Sequence, residues 1–216
     1  MATTNVGRFM AAHGIADIGE LRRRSVAEPE WFWDAVVRFL GLRFDTPYER
    51  VLDTSAGIPW ARWFVGGRLN FAANCLRWPA EQPAVVWEGE DGSTARWSHG
   101  ELAATAEALA RRLASAGVGP GDRVGIYAPM VPQTVAALLA VARLGAVFLP
   151  LFSGYGAPAI ATRLTDAEAV ALVTCDHTLR RGRRIDMAAT AAEAAAACPT
   201  VREVVVLERD GTPASG

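Results

Sequence analysis

The chain has 216 residues, enough for one large domain or one domain with an appended segment. A hydrophobic share of 51 % against 21 % charged residues supports a packed core and excludes general disorder. A formal net charge of −1 argues against a general nucleic-acid binder, and the 22 basic residues are all arginines, which excludes a Schiff-base lysine or the lysine of a phosphate loop.

Residues 1–80 differ from the rest. They hold five of the seven tryptophans: Trp31, Trp33, Trp60, Trp63 and Trp78. The stretch SVAEPEWFWDAVVRFLGL reads as one helix capped by Ser25, with Trp31, Val36 and Leu40 sharing an apolar face. Turn chemistry follows at Pro47, at Gly57-Ile58-Pro59 and at Gly66-Gly67. The tryptophans read as packing residues.

From residue 84 the pattern becomes regular. AVVWEG and TARWS flank the turn EDGS as two short strands. Ser98 and Glu101 fit a capping box, which opens a helix carrying Leu102, Leu109 and Leu113. Gly117 can take the left-handed cap conformation, and Pro120 stops continuation. RVGIYA is a buried strand, Pro132 to Leu144 a helix, AVFLPLF a strand and Pro158 to Leu164 a short helix. AVALVTC, DMAATAAEAAAAC and VREVVVLE continue as strand, helix and strand, and RDGTPASG reads as turn and linker. This alternation predicts an α/β fold: a mostly parallel sheet with helices on both faces, preceded by an irregular and helical Trp-rich leader.

Most candidate sites dissolve on inspection. Gly117-Val118-Gly119-Pro120-Gly121 follows a helix and opens a strand, the reverse of a dinucleotide loop, so it reads as a cap and turn. No G-x-S-x-G elbow, no acid/base carboxylate couple and no metal-ligand spacing is present, so no catalytic or metal-binding residue is assigned. His177 lies beside Asp176, although adjacency does not make a catalytic pair. Cys75, Cys175 and Cys198 are too scattered for a disulfide framework. The start lacks a secretory pattern, and the most apolar stretch, 124–152, is too interrupted for a membrane span; a reducing cytoplasm is the default compartment.

The exception is TCDHTLRRGRR at 174–184, where Arg180, Arg181, Arg183 and Arg184 surround Gly182. Charge pattern alone favours a solvated basic run, and the absence of aromatics disfavours nucleic acid. Its place after a strand of an open α/β sheet instead suits a ligand site, and guanidinium forks suit phosphate. Arg180 and Arg183 share a face if the segment turns helically, as do Arg181 and Arg184.

Two stretches resemble a known family. GVGPGDRVGIYAPMVPQTVAALLAVARLGAVFLPLF resembles the amino-terminal core of adenylate-forming acyl-CoA synthetases, with their G-D-x-V strand and G-A-x-x-x-P. Trp63-Phe64-Val65-Gly66-Gly67-Arg68-Leu69-Asn70 resembles the leader of the acetyl-CoA synthetase branch. The resemblance runs from about residue 9 to 207 and implies a leader over 1–80 and the first, incomplete α/β subdomain of the AMP-binding domain over 81–216. It implies an enzyme that uses ATP and Mg²⁺ to convert a short-chain carboxylate to an acyl-adenylate, whose AMP is displaced by coenzyme A. The family segment T-x-D-x-x-x-R-x-G-R holds coenzyme A phosphates and is matched by Thr174, Asp176, Arg180, Gly182 and Arg183. Arg180 and Arg183 are thereby implied as coenzyme A contacts, with Arg181 and Gly182 between them. Gly154, in Phe152-Ser153-Gly154-Tyr155, matches a glycine pair whose first member is replaced by Ser153.

The family's ATP loop, adenine and Mg²⁺ motifs and carboxyl-terminal lid are absent here. The expectation is therefore an amino-terminal portion, inactive alone, whose partners are the acid, ATP, coenzyme A and the remainder of its own synthetase chain. A stand-alone coenzyme A-binding or protein-interaction module, or a ligase passing the acyl group to another thiol, are the alternatives.

Overall fold

The computed structural model describes residues 4–211. The chain divides into two compact units after Asn70.

The first unit holds three helices, α1 (Asn5–Ala12), α2 (Ile18–Ala27) and α3 (Pro29–Leu40), and a hairpin of β1 (Arg50–Asp53) with β2 (Arg62–Val65). Ser25 does not cap the tryptophan-bearing helix. It lies inside α2, where its hydroxyl donates to the Arg22 carbonyl at 3.0 Å. The break comes at Glu28–Pro29, because proline fits the first helical position, where no amide partner is needed. The buried face of α3 is also displaced from expectation. Ala35 is buried, with Trp31, Phe32, Val36 and Phe39 packed around Phe9, Met10, Ile15 and Leu21, whereas Leu40 is exposed. Phe9 meets Phe39 edge-on at 5.3 Å. Trp31 alone of the five early tryptophans joins a core cluster; Trp33, Trp60, Trp63 and Trp78 are 41–73 % exposed, so the packing expectation holds for one of them.

The second unit begins with α4 (Phe71–Cys75) and the antiparallel pair β3 (Pro83–Glu88) and β4 (Thr94–Ser98). The helix α5 (His99–Ser115) opens with the complete Ser98/Glu101 capping box and buries Leu102, Leu109 and Leu113. It ends at Gly117, whose φ of +81° lets the Val118 amide turn back to the Leu113 carbonyl at 3.0 Å. Then β5 (Arg123–Tyr127), α6 (Pro132–Arg143), β6 (Val147–Leu151), α7 (Ala157–Asp166) and β7 (Ala171–Cys175) alternate as expected. The hairpin β8 (His177–Arg180) and β9 (Arg183–Asp186) interrupts the alternation before α8 (Met187–Ala196) and β10 (Glu203–Leu207).

Four strands form a parallel sheet in the order β10-β7-β5-β6. One face packs Val124, Ile126 and Val173 against α5 and α6 residues such as Leu113 and Val141. The other packs Leu151, Leu172 and Tyr127 against Ile160 and Leu164 of α7 and Met187 and Ala191 of α8. The chain is thus α/β with helices on both faces of its parallel sheet. Gly125 lies where this second face is tight: a Cβ there would stand 2.6 Å from Leu164 Cδ2 and 3.0 Å from Leu172 Cδ1. The linker-like end RDGTPASG is described only as far as Gly211, and its remainder lies outside the described residues.

Candidate functional site

The arginine segment is a β-hairpin and not a helical turn. Arg181 and Gly182 form its two-residue loop with φ of +53° and +72°, the doubly positive geometry that matches strand twist. Spacing of three across such a loop makes Arg180 and Arg183 direct cross-strand partners, so they share a face after all. Arg181 and Arg184 do not form the second pair: Arg181 sits at the tip, and Arg184 lies opposite Leu179. Among the described residues only Arg184 of the four has a carboxylate within 4 Å, Asp176 at 3.8 Å. Among the described residues Arg180, Arg181 and Arg183 are three guanidinium groups without an acidic partner.

Asp176 holds the base of the hairpin. Its Oδ1 accepts from the amides of His177 at 2.8 Å and Arg209 at 2.9 Å. Its own amide donates to the Leu207 carbonyl at 2.8 Å, and its carbonyl accepts from Met187 at 3.1 Å. The end of β7, the hairpin, the start of α8 and the end of β10 therefore meet at one residue. Burial acts to raise the Asp176 pKa, but the bonds from Arg209 and His177 outweigh it and leave the carboxyl below its ordinary value. His177 is buried; its Nδ1 stands 2.9 Å from Asp176 Oδ2 but out of line for a hydrogen bond, and its Nε2 is 3.7 Å from Asp210.

The loop after β6 comes to the same place. The Arg180 guanidinium carbon lies 5.9 Å from the centroid of the Phe152 ring. A Cβ on Gly154 would stand 2.7 Å from Arg180 Nη1 and 2.7 Å from Phe152 Cε1. Gly154 is therefore required for room, since its φ is not in the left-handed range. Tyr127, buried at the end of β5, donates its hydroxyl to the carbonyls of Tyr155 at 3.1 Å and Ser153 at 3.3 Å, which fixes this loop. Both contributing segments lie beyond the carboxyl ends of parallel strands, where open α/β sheets bind ligands.

The structure brings together Gly154, Arg180 and Arg183 and places Arg181 and Gly182 at the tip. It adds residues that the sequence did not single out: Phe152 under Arg180, and Glu90, whose Oε1 accepts from the Gly182 amide at 2.7 Å. Glu90 carries no local signal, being 92 positions away. A separate cleft of about 570 Å³, with Trp87, Trp97, Gln133, His177, Arg184 and Arg209 in its walls, does not include Arg180 or Arg183. Among the described residues no group of three or more His, Cys, Asp or Glu is arranged to hold a metal ion.

An α/β unit with an arginine hairpin past its third parallel strand fits a class of nucleotide-using enzymes, and the family models agree. Residues 71–216 match the AMP-binding enzyme family, and the chain belongs to it. Residues 18–75 match the acetyl-coenzyme A synthetase N-terminus. Among curated relatives, an acetyl-coenzyme A synthetase of Deinococcus radiodurans is 38 % identical over 196 residues, covering 88 % of this chain and 30 % of that one. The human acetyl-coenzyme A synthetase 2-like, mitochondrial protein is 41 % identical over 187 residues, covering 84 % and 27 %. The solved acetoacetyl-CoA synthetase from Streptomyces lividans superposes with a TM-score of 0.87 at 36 % identity, covering 99 % of this chain and 34 % of that one. The chain thus spans about 30 % of the length of the curated relatives it matches. No helix among the described residues is long and apolar enough to cross a membrane.

Proposed function

We propose that the chain is the amino-terminal portion of an AMP-forming acyl-CoA synthetase, with a leader over residues 1–80 and the first part of the AMP-binding domain over 81–216. The complete enzyme joins a short-chain carboxylate to coenzyme A with ATP cleaved to AMP and pyrophosphate. Within it, Arg180 and Arg183 grip phosphates of coenzyme A, with Arg181 and the Gly182 tip beside them. The observation that carries this reading is the cross-strand Arg180–Arg183 pair, without acidic partners among the described residues, with Arg180 held beside the notch at Gly154.

The fit to coenzyme A is chemical. Its phosphates are anionic, and two guanidinium groups on one face of the hairpin offer the charge-assisted bidentate bonds that such groups prefer. The missing Cβ at Gly154 leaves the Arg180 fork room beside Phe152. These residues bind and orient; they supply no proton and no nucleophile. ATP, Mg²⁺ and the acid belong to parts of the complete synthetase beyond these residues, and that remainder is the partner of this chain. The isolated chain is accordingly inactive in adenylation. Three free cysteines suit a reducing compartment, with the cytoplasm as the default.

The test is Arg180→Ala in the complete synthetase. The KM for coenzyme A should rise by about tenfold or more, as expected for a lost charge-assisted bond. Carboxylate-dependent ATP–pyrophosphate exchange should be unchanged. An unchanged KM removes Arg180 from the site.

A further inference from the structure

We propose that Glu90 is a positioning residue for the arginine hairpin: its carboxylate, presented by the β3–β4 turn, pins the hairpin tip and so holds Arg180 and Arg183 in register for their anion. The inference rests on the coenzyme A reading of that hairpin.

The hairpin needs such a tether. It is two strands of four residues, and an isolated two-stranded hairpin is at best marginally stable in water. All four residues of β9 are exposed, so burial contributes little there. Arg180 stands directly opposite Arg183, and like charges in that position destabilise a strand pair. Arg181 occupies the left-handed region without being glycine, which adds strain at the tip. Asp176 secures the base, but its bonds lie at the opposite end from Arg180 and Arg183. At the tip the tether is the 2.7 Å bond from the Gly182 amide to Glu90 Oε1, short and charge-assisted.

The turn that carries Glu90 is braced by its own hydrogen bonds. In it the Gly89 amide donates to the Ser93 carbonyl at 2.7 Å, and Gly92 donates to Gly89 at 3.0 Å. Asp91 Oδ1 accepts from the Ser93 amide at 3.1 Å and hydroxyl at 2.5 Å. The turn is fastened downward as well. Asp91 Oδ2 lies 3.8 Å from Arg209, whose guanidinium sits 5.5 Å from the Trp87 ring centroid, and Trp87 Nε1 donates to the Met130 carbonyl at 2.6 Å. A carboxylate on so braced a turn transmits position. Because it binds the backbone amide, it anchors the tip and leaves the guanidinium forks to the ligand.

The experiment compares Glu90→Ala, Glu90→Gln and Arg180→Ala in the complete synthetase. It reads KM for coenzyme A, KM for ATP, kcat, and hydrogen exchange of the peptide spanning 176–186. Glu90 is exposed, so the variants are expected to melt with the wild type. Glu90→Ala should raise the KM for coenzyme A by about tenfold and speed exchange of the hairpin peptide, with kcat and KM for ATP unchanged. Glu90→Gln keeps an acceptor at Oε1 and should stay within about twofold of wild type. An unchanged KM in Glu90→Ala, while Arg180→Ala raises it, overturns the proposal. So does a lower KM in both Glu90 variants, which would make the carboxylate an opposing charge. If neither Arg180→Ala nor Glu90→Ala moves the KM, the coenzyme A reading falls and exchange decides the tether alone: faster exchange in Glu90→Ala sustains it, and unchanged exchange sinks it.

Discussion

Gly154→Ala separates space from contact at the arginine site. The added methyl carbon would stand 2.7 Å from Arg180 Nη1, 2.7 Å from Phe152 Cε1 and 3.3 Å from Phe152 Cδ1. Comfortable separation for such atoms is about 3.5–4.0 Å, so the guanidinium and the ring must each retreat by roughly 1 Å. Gly154 is not in the left-handed region, so alanine brings no backbone strain. Phe152 is 58 % exposed and Arg180 ends in solvent, so both can rotate away. The stability change should therefore stay within about 0.5 kcal/mol. Binding should suffer far more, because a fork displaced by roughly 1 Å loses its alignment on a phosphate. A hydrogen bond to a charged group contributes about 1.5–3 kcal/mol, and each 1.4 kcal/mol is tenfold. The KM for coenzyme A should rise by about ten- to a hundredfold, with ATP–pyrophosphate exchange intact. The assay is steady-state acyl-CoA formation at saturating ATP and acid, run beside a thermal melt. A KM within about twofold of wild type, in a variant that melts normally and beside an Arg180→Ala variant that is impaired, would show that Arg180 does not depend on the notch.

Two further outcomes probe the scaffold. Gly125→Ala puts a methyl 2.6 Å from Leu164 Cδ2, 3.0 Å from Leu172 Cδ1 and 3.3 Å from Leu151 Cδ1, all buried; overpacking should cost about 1–3 kcal/mol, and a melting temperature equal to wild type would refute the packing described between the sheet and α7. In the first unit, Asp53 accepts from Arg62 Nη2 at 2.5 Å and the Ser55 amide at 3.0 Å, and these bonds, the Arg62 bond first, hold its carboxyl well below the usual carboxylate range. A depressed folded-state pKa gives stability that is fully present above about pH 4, the unfolded value, and is lost as pH falls through the folded one. Asp53→Asn should accordingly flatten the acid limb in urea denaturation between about pH 4 and pH 2, and an unchanged slope would count against the Arg62 bond.

How far the sequence could be read depended on whether an element carries its own boundary chemistry. The helices α5 and α6 do: the Ser98/Glu101 box, the turn at Gly117, Pro132 at the first position of α6. Those elements fell where expected. The α2–α3 break was misplaced because two signals competed, and Pro29, which sets a helix start by sterics, prevails over a serine that can equally bond back to a carbonyl within a helix. The hairpin was not legible because its loop is Arg-Gly in place of Asn-Gly, and its second strand has no buried face to write an alternation.

The arginine pairing was legible for an incomplete reason. A spacing of three joins residues across a helical turn, and it also joins residues that flank a two-residue hairpin loop. Arg180 and Arg183 satisfy both geometries, whereas Arg181 and Arg184 satisfy only the helical one, and the structure separates them. The same distinction explains why Glu90 could not be found in the sequence. A helical arginine face would be stiffened by its own backbone bonds, but a short exposed hairpin with opposed positive charges must be held from outside. The group that holds it is set by the tertiary fold, which lays the β3–β4 turn against the tip from 92 positions away. In this chain the arginines of the proposed site are neighbours in sequence, and the carboxylate bonded to their hairpin tip is not.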